Sequence, residues 1–82
     1  MVSCKKLLEK ARNSATNYRY ADAVKLASCY GWALDRQSGS HAIFIHKDGN
    51  RRLTFTEQRG EIPAYQLRQL LEAIEKLDST TE

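Results

Sequence analysis

The chain contains no apolar run approaching the ~20 residues that a membrane-spanning helix needs, so no such segment and no membrane partner is expected. Its opening stretch, MVSCKKLLEKAR, lacks the uninterrupted apolar core of a secretory signal, and the protein is expected in the cytoplasm. Cysteine is sparse. Cys4 and Cys29 are far from a CxxC spacing, and with His41 and His46 they match no usual zinc-ligand pattern. No metal and no other cofactor is expected. Cys29 reads as a small core residue on a helix, and Cys4 as a residue near a mobile end. Length sets a further limit. The 82 residues support one domain, taken as 1–82. A domain this small buries a modest fraction of its surface and is marginally stable, which leaves little for a deep cofactor cavity. A surface groove or patch is the expected kind of site.

Neither sign of charge dominates, because the net charge is only +3. Its distribution is uneven. Residues 1–31 carry six Lys/Arg against two acids, residues 32–59 five against three, and residues 60–82 two against five. A basic first two thirds favours a polyanionic partner, with phosphate contacts supplying much of the affinity. A merely solvated mixed-charge surface accounts for the same numbers equally well.

Patterning predicts the order α-α-β-β-β-α. Residues 3–12 read as a short helix with Ser3 as N-cap and Leu7, Leu8 and Ala11 on one stripe. The polar stretch 13–17 breaks it. A second helix is predicted over 21–30, with Asp22 in its first turn, Val24, Ala27, Leu26 and Tyr30 on its buried side, and Gly31 ending it. Residues 32–37 alternate as a half-buried strand with Trp32 and Leu34 on one side. Ser38-Gly39-Ser40 is a turn, 41–46 is the most β-prone run, Asp48-Gly49 is a hairpin signal, and 51–56 is a third strand with Leu53 and Phe55 on one face. Residues 58–61 form a loop. Pro63 suits the first turn of a last helix, whose apolar stripe is Leu67, Leu70, Leu71, Ile74 and Leu77; residues 78–82 are expected to fray. Three strands joined by short turns form an antiparallel meander with helices covering one face, an α+β fold of the double-stranded-RNA-binding-domain-like α-β-β-β-α layout with an extra N-terminal helix. The core spans 20–77 and the extra helix 3–12. That layout alone does not fix function.

The informative segment is Arg36-Gln37-Ser38-Gly39-Ser40-His41. A glycine-containing turn lets backbone approach a phosphate closely. The Ser40 hydroxyl and the turn N–H groups can hold phosphate oxygens, and Arg36 can neutralise charge that develops there. A histidine exchanges protons near neutral pH, so His41 can serve phosphodiester cleavage without a metal. On residue chemistry alone a plainer role also stands, in which His41 tops a strand and caps a turn.

The run RQSGSHAIF, the hairpin after it and GEIPAYQLRQLLEAIEKL resemble the HicA family of toxin–antitoxin ribonucleases. The shared features are Gly39-Ser40-His41 opening a strand, then Gly60 and Pro63 leading into the last helix. Tyr65-Gln66-Leu67-Arg68-Gln69 is similar to a string found in one branch, which also has an extra N-terminal helix. The resemblance implies a double-stranded-RNA-binding-domain-like fold, cleavage of mRNA, His41 as the essential catalytic residue, and a HicB-type antitoxin that binds the toxin and covers that histidine. Ala42 departs from the pattern, since many members carry a second histidine there.

Other residues keep two readings. Lys47, Arg51 and Arg52 flank the second hairpin turn and either track an RNA backbone, with Arg36, Gly39 and Ser40, or are a solvated tip. Lys5, Lys6, Lys10 and Arg12 read more readily as a solvated helix face than as an RNA or antitoxin contact. Trp32 and Phe55 read as core rather than base-stacking residues, and Phe44 stands on the opposite face of its strand from Ile43 and Ile45. Arg68 and Gln69 lie off the apolar stripe or at its edge, where they support the loop around Gly60 or meet a partner protein. His46, at odd spacing from His41, falls on the opposite strand face and reads as structural or exposed. The second proton-transfer group remains open among Lys47, Arg36, Tyr65 and water. The competing function is a non-catalytic RNA-binding domain, and a third reading is a partner-binding protein whose surface happens to be basic. The second requires a lysine cluster at the start of the final helix, and Pro63-Ala64-Tyr65-Gln66 holds none.

Overall fold

Ser3 opens the first helix, its hydroxyl accepting the Lys6 N–H at 3.2 Å. The computed structural model describes residues 3–14 and 16–80, with side chains as far as Leu77. In it the helix α1 (Cys4–Arg12) buries Leu7 and Ala11 and leaves its lysines in solvent. A short strand β1 (Tyr18–Arg19) leads directly into α2 (Tyr20–Cys29), which buries Ala23, Leu26 and Ala27. Three strands follow as an antiparallel meander: β2 (Trp32–Ser38), β3 (His41–His46) and β4 (Arg52–Thr56), in spatial order β2-β3-β4. A second short strand, β5 (Glu61–Ile62), pairs with β1, and α3 (Ala64–Thr80) closes the chain. This is the expected α+β layout with its extra N-terminal helix. The β1–β5 pair was not legible, because two-residue strands carry no periodicity.

The core lies on one face of the meander. Trp32 of β2, Ala42 and Phe44 of β3 and Leu53 and Phe55 of β4 meet Leu26 of α2 and Leu67, Leu70 and Ile74 of α3. Phe44 and Phe55 stack tilted, with centroids 5.1 Å apart, and pairs of this kind contribute about 0.5–1.5 kcal/mol beyond area burial. Phe44 is thus a core residue, while Ile43 and Ile45 are half-buried on the other face.

Four expectations are corrected. In β2 only Trp32 is buried, and Leu34 is 52% exposed. β2 is an edge strand with a register shift between Leu34 and Arg36, so its alternation carries it out of the core. α3 continues through Thr80, so residues 78–80 do not leave the helix, while Thr81 and Glu82 lie outside the described residues. Cys29 is exposed rather than core, and Cys4 is not free near an end. The two form a disulfide that ties α1 to the end of α2. Separation of 25 residues concealed the pairing, because packing of α1 on α2, not local spacing, brings the sulfurs together.

His46 is buried and structural. Its Nε2–H donates to the Tyr30 carbonyl at 2.8 Å and its Nδ1 accepts the Asp48 N–H at 3.1 Å, which selects the neutral Nε2–H tautomer. Its ring meets Trp32 edge-on at 4.8 Å. Gly31 makes this possible. Its φ is +100°, and a Cβ there would lie 2.7 Å from His46 Nε2. Gly31→Ala is expected to cost about 3 kcal/mol, from left-handed backbone strain and displacement of the imidazole. Urea denaturation measures this, and an unchanged midpoint would contradict the packing of His46 on Gly31.

Candidate active site

The β2–β3 connection is as short as a hairpin permits. Ser38 pairs with His41, leaving Gly39 and Ser40 as the two loop residues. Gly39 has φ +59°, the left-handed value that a tight two-residue loop demands at its first position and that glycine adopts without strain. The consequence is positional. His41 becomes the first residue of β3, with its side chain on the face opposite the core, because Ala42, Phe44 and His46 point inward. Its imidazole is exposed and Nδ1 lies 3.4 Å from the Ser40 hydroxyl.

The same face carries the residues registered against it. Across β2, Ser38 faces His41 and Arg36 faces Ile43; across β4, Thr56 faces His41, Thr54 faces Ile43 and Arg52 faces Ile45. Arg36, Gly39 and Ser40 therefore gather at the His41 end. The Arg36 guanidinium is exposed and bonded to Asp35 at 3.2 Å, a solvated pair that contributes little to stability and can be exchanged for another anion.

Lys47, Arg51 and Arg52 stand at the other end of β3, a strand's length away, roughly 17 Å at the usual rise per residue. They are not part of one cluster with His41. Arg51 is bonded to Asp48 at 3.1 Å, and Asp48 also receives the Asn50 N–H at 2.8 Å. That backbone N–H, with Arg51 acting in the same direction, holds the Asp48 carboxyl below its ordinary value. The turn is accordingly supported above the usual carboxylate range and loses that support as pH falls through the depressed value. Lys47 and Arg52 are exposed.

Gln66 is the residue that sequence reasoning missed. It is 4% exposed. Its Oε1 accepts the Thr56 N–H at 2.7 Å, and its Nε2 donates to Thr56 Oγ1 at 3.0 Å and to the Tyr65 hydroxyl at 3.4 Å. Since Thr56 is the cross-strand neighbour of His41, Gln66 ties the start of α3 and the Tyr65 phenol to the His41 end of the sheet. Of the three side chains considered as second proton-transfer groups, Lys47 is at the wrong end of β3, whereas Arg36 and Tyr65 share the His41 end. Tyr65 is 52% exposed. The only available signal for Gln66 was a polar residue beside Leu67 on the apolar stripe of α3.

Among the described residues no group of three or more His, Cys, Asp or Glu is placed to hold a metal ion. The loop into α3 is tightly built. Arg59 and Gly60 have φ of +55° and +81°, Gln58 and Glu61 exchange backbone hydrogen bonds, and the Gly60 carbonyl accepts the Tyr20 N–H at 2.8 Å. Pro63 immediately precedes α3, its carbonyl accepting from the Gln66 and Leu67 N–H groups.

A family model for the HicA toxin of bacterial toxin–antitoxin pairs matches residues 20–75. This span runs from the first residue of α2 into α3 and includes the Gly39-Ser40-His41 turn, Gly60 and Pro63. Comparison with curated proteins and with solved structures gives no match.

Proposed function

We propose, from the premise that this chain belongs to the HicA toxin family of bacterial toxin–antitoxin systems, that it is an mRNA-cleaving endoribonuclease whose chemistry depends on His41. The supporting observation is the tight Gly39-Ser40 loop, which presents an exposed imidazole with a serine hydroxyl at its Nδ1, on the same sheet face as Arg36. RNA lies over this face, its phosphate at the turn N–H groups and the Ser40 hydroxyl. Lys47, Arg51 and Arg52 contact backbone further along the strand.

In the proposed step His41 takes the proton of a ribose 2′-hydroxyl, whose oxygen attacks the adjacent phosphorus. The bond from phosphorus to the 5′-oxygen breaks, and that oxygen leaves protonated. Arg36 offsets the charge on the phosphate oxygens. Tyr65, held by Gln66, supplies the leaving proton, which fits its position better than Lys47's. The non-catalytic RNA-binding alternative offers no use for a titratable group in place of a lysine at the turn. The toxin acts in the cytoplasm, and a HicB-type antitoxin neutralises it by covering His41.

The test is purified protein incubated with a defined mRNA. Cleavage is expected to persist in EDTA and to leave 2′,3′-cyclic phosphate and 5′-hydroxyl ends. Loss of cleavage with the chelator, or 5′-phosphate ends, would overturn the metal-independent 2′-hydroxyl route.

A further inference from the structure

A groove of about 440 Å³ runs between the open edge of β4 and α3, lined in part by Trp32, Arg52, Thr54, Glu72, Ala73 and Lys76. β4 ends the sheet, and its hydrogen bonding shows which backbone groups are spare. The Arg51 carbonyl accepts from His46 of β3, whereas the Thr56 N–H turns away from β3 to Gln66. In an antiparallel ladder these orientations alternate. Arg52 and Thr54 therefore share the outward orientation of Thr56, and their N–H and C=O groups face the edge. Gln66 closes that edge at Thr56 only. Behind the groove, Trp32 Nε1 is a buried donor with no acceptor among the described residues.

We propose that this groove receives an extended, acidic segment of a partner protein as a fourth strand beside β4. Backbone groups of Arg52 and Thr54 supply the pairing that gives such strand addition its affinity. Arg52 and Lys76 outweigh Glu72 in charge, which favours acidic side chains on the incoming strand. Ala73 leaves room for one of them. The other edge, β2, is a poorer template because its register shift at Leu34/Arg36 interrupts the row of backbone groups. The inference does not rest on the cleavage chemistry of His41.

The test uses the full chain and three probes: a blocked eight-residue peptide of alternating Glu and Val, its Lys/Val counterpart, and a single-stranded RNA octamer. NMR amide exchange follows Arg52, Thr54 and Thr56. The Glu peptide is expected to slow exchange at Arg52 and Thr54 about tenfold or more and to leave Thr56 unchanged, with the Lys peptide binding about tenfold more weakly. Thr54→Pro removes an outward N–H at an edge position where proline is tolerated and is expected to abolish the effect, whereas Thr54→Val retains it. A Glu peptide N-methylated on its pairing face should fail against the unaltered protein, which keeps the test independent of how Thr54→Pro folds. His41→Ala should bind as the parent does. Absence of protection, equal binding by the N-methylated peptide, or protection by the RNA octamer in preference to the Glu peptide would overturn the proposal.

Discussion

His41→Ala is expected to reduce RNA cleavage by about 10²–10⁴-fold, the range that a positioned general acid or base contributes, and to abolish growth arrest when expressed in cells. Folding should be untouched. The imidazole is exposed, and among the described residues its side-chain hydrogen-bonding partner is Ser40, at 3.4 Å; substitutions at such positions stay within about 0.5 kcal/mol. Circular dichroism and the urea midpoint check this directly. Tyr65→Phe tests the second group. If the phenol protonates the leaving oxygen, the rate falls with little change in KM, whereas a structural role for its hydroxyl would appear in stability through Gln66. Equal RNA decay and equal growth arrest by parent and His41→Ala would remove His41 from the chemistry.

Opening the Cys4–Cys29 disulfide is expected to cost about 3.5 kcal/mol of stability by loop-closure entropy for this separation. In a chain of this size that lowers Tm by roughly 15–25 °C. Calorimetry of oxidised protein, reduced protein and the Cys4→Ser/Cys29→Ser double variant measures the effect. A single Tm for all three would mean that Leu7 and Ala11 hold α1 in place without the bond. The outcome bears on where the protein works. Cytoplasmic thiols are normally kept reduced, so a toxin acting there would meet RNA with α1 held by packing alone. Because α1 precedes the family-matched span 20–75, the reduced protein is expected to cleave RNA at an undiminished rate at temperatures below its lowered Tm.

Much of this protein is determined locally, and those parts are legible in the sequence. Ser3 caps α1 and Pro63 stands immediately before α3 because helix ends need particular residues at particular positions. Gly39 and Gly49 set turns because left-handed backbone favours glycine. Alternation through 41–46 put His41 and His46 on opposite faces, since successive strand side chains alternate. The motif around His41 could therefore be read as a turn opening a strand.

What the tertiary structure alone decided are relations between distant residues. Burial of His46 depends on Gly31 and Tyr30 coming within reach of its ring. Gln66 reaches Thr56 only because α3 lies beneath β4. The basic residues treated as one RNA path divide between the two ends of β3, because a strand separates in space what the sequence lists within a short interval. The cysteines are a pair because two helices pack, and their spacing along the chain carries no trace of it. Short-range sterics and hydrogen bonding act within a few residues and leave patterns in sequence. Packing acts between surfaces, and which surfaces meet is settled only when the whole core closes.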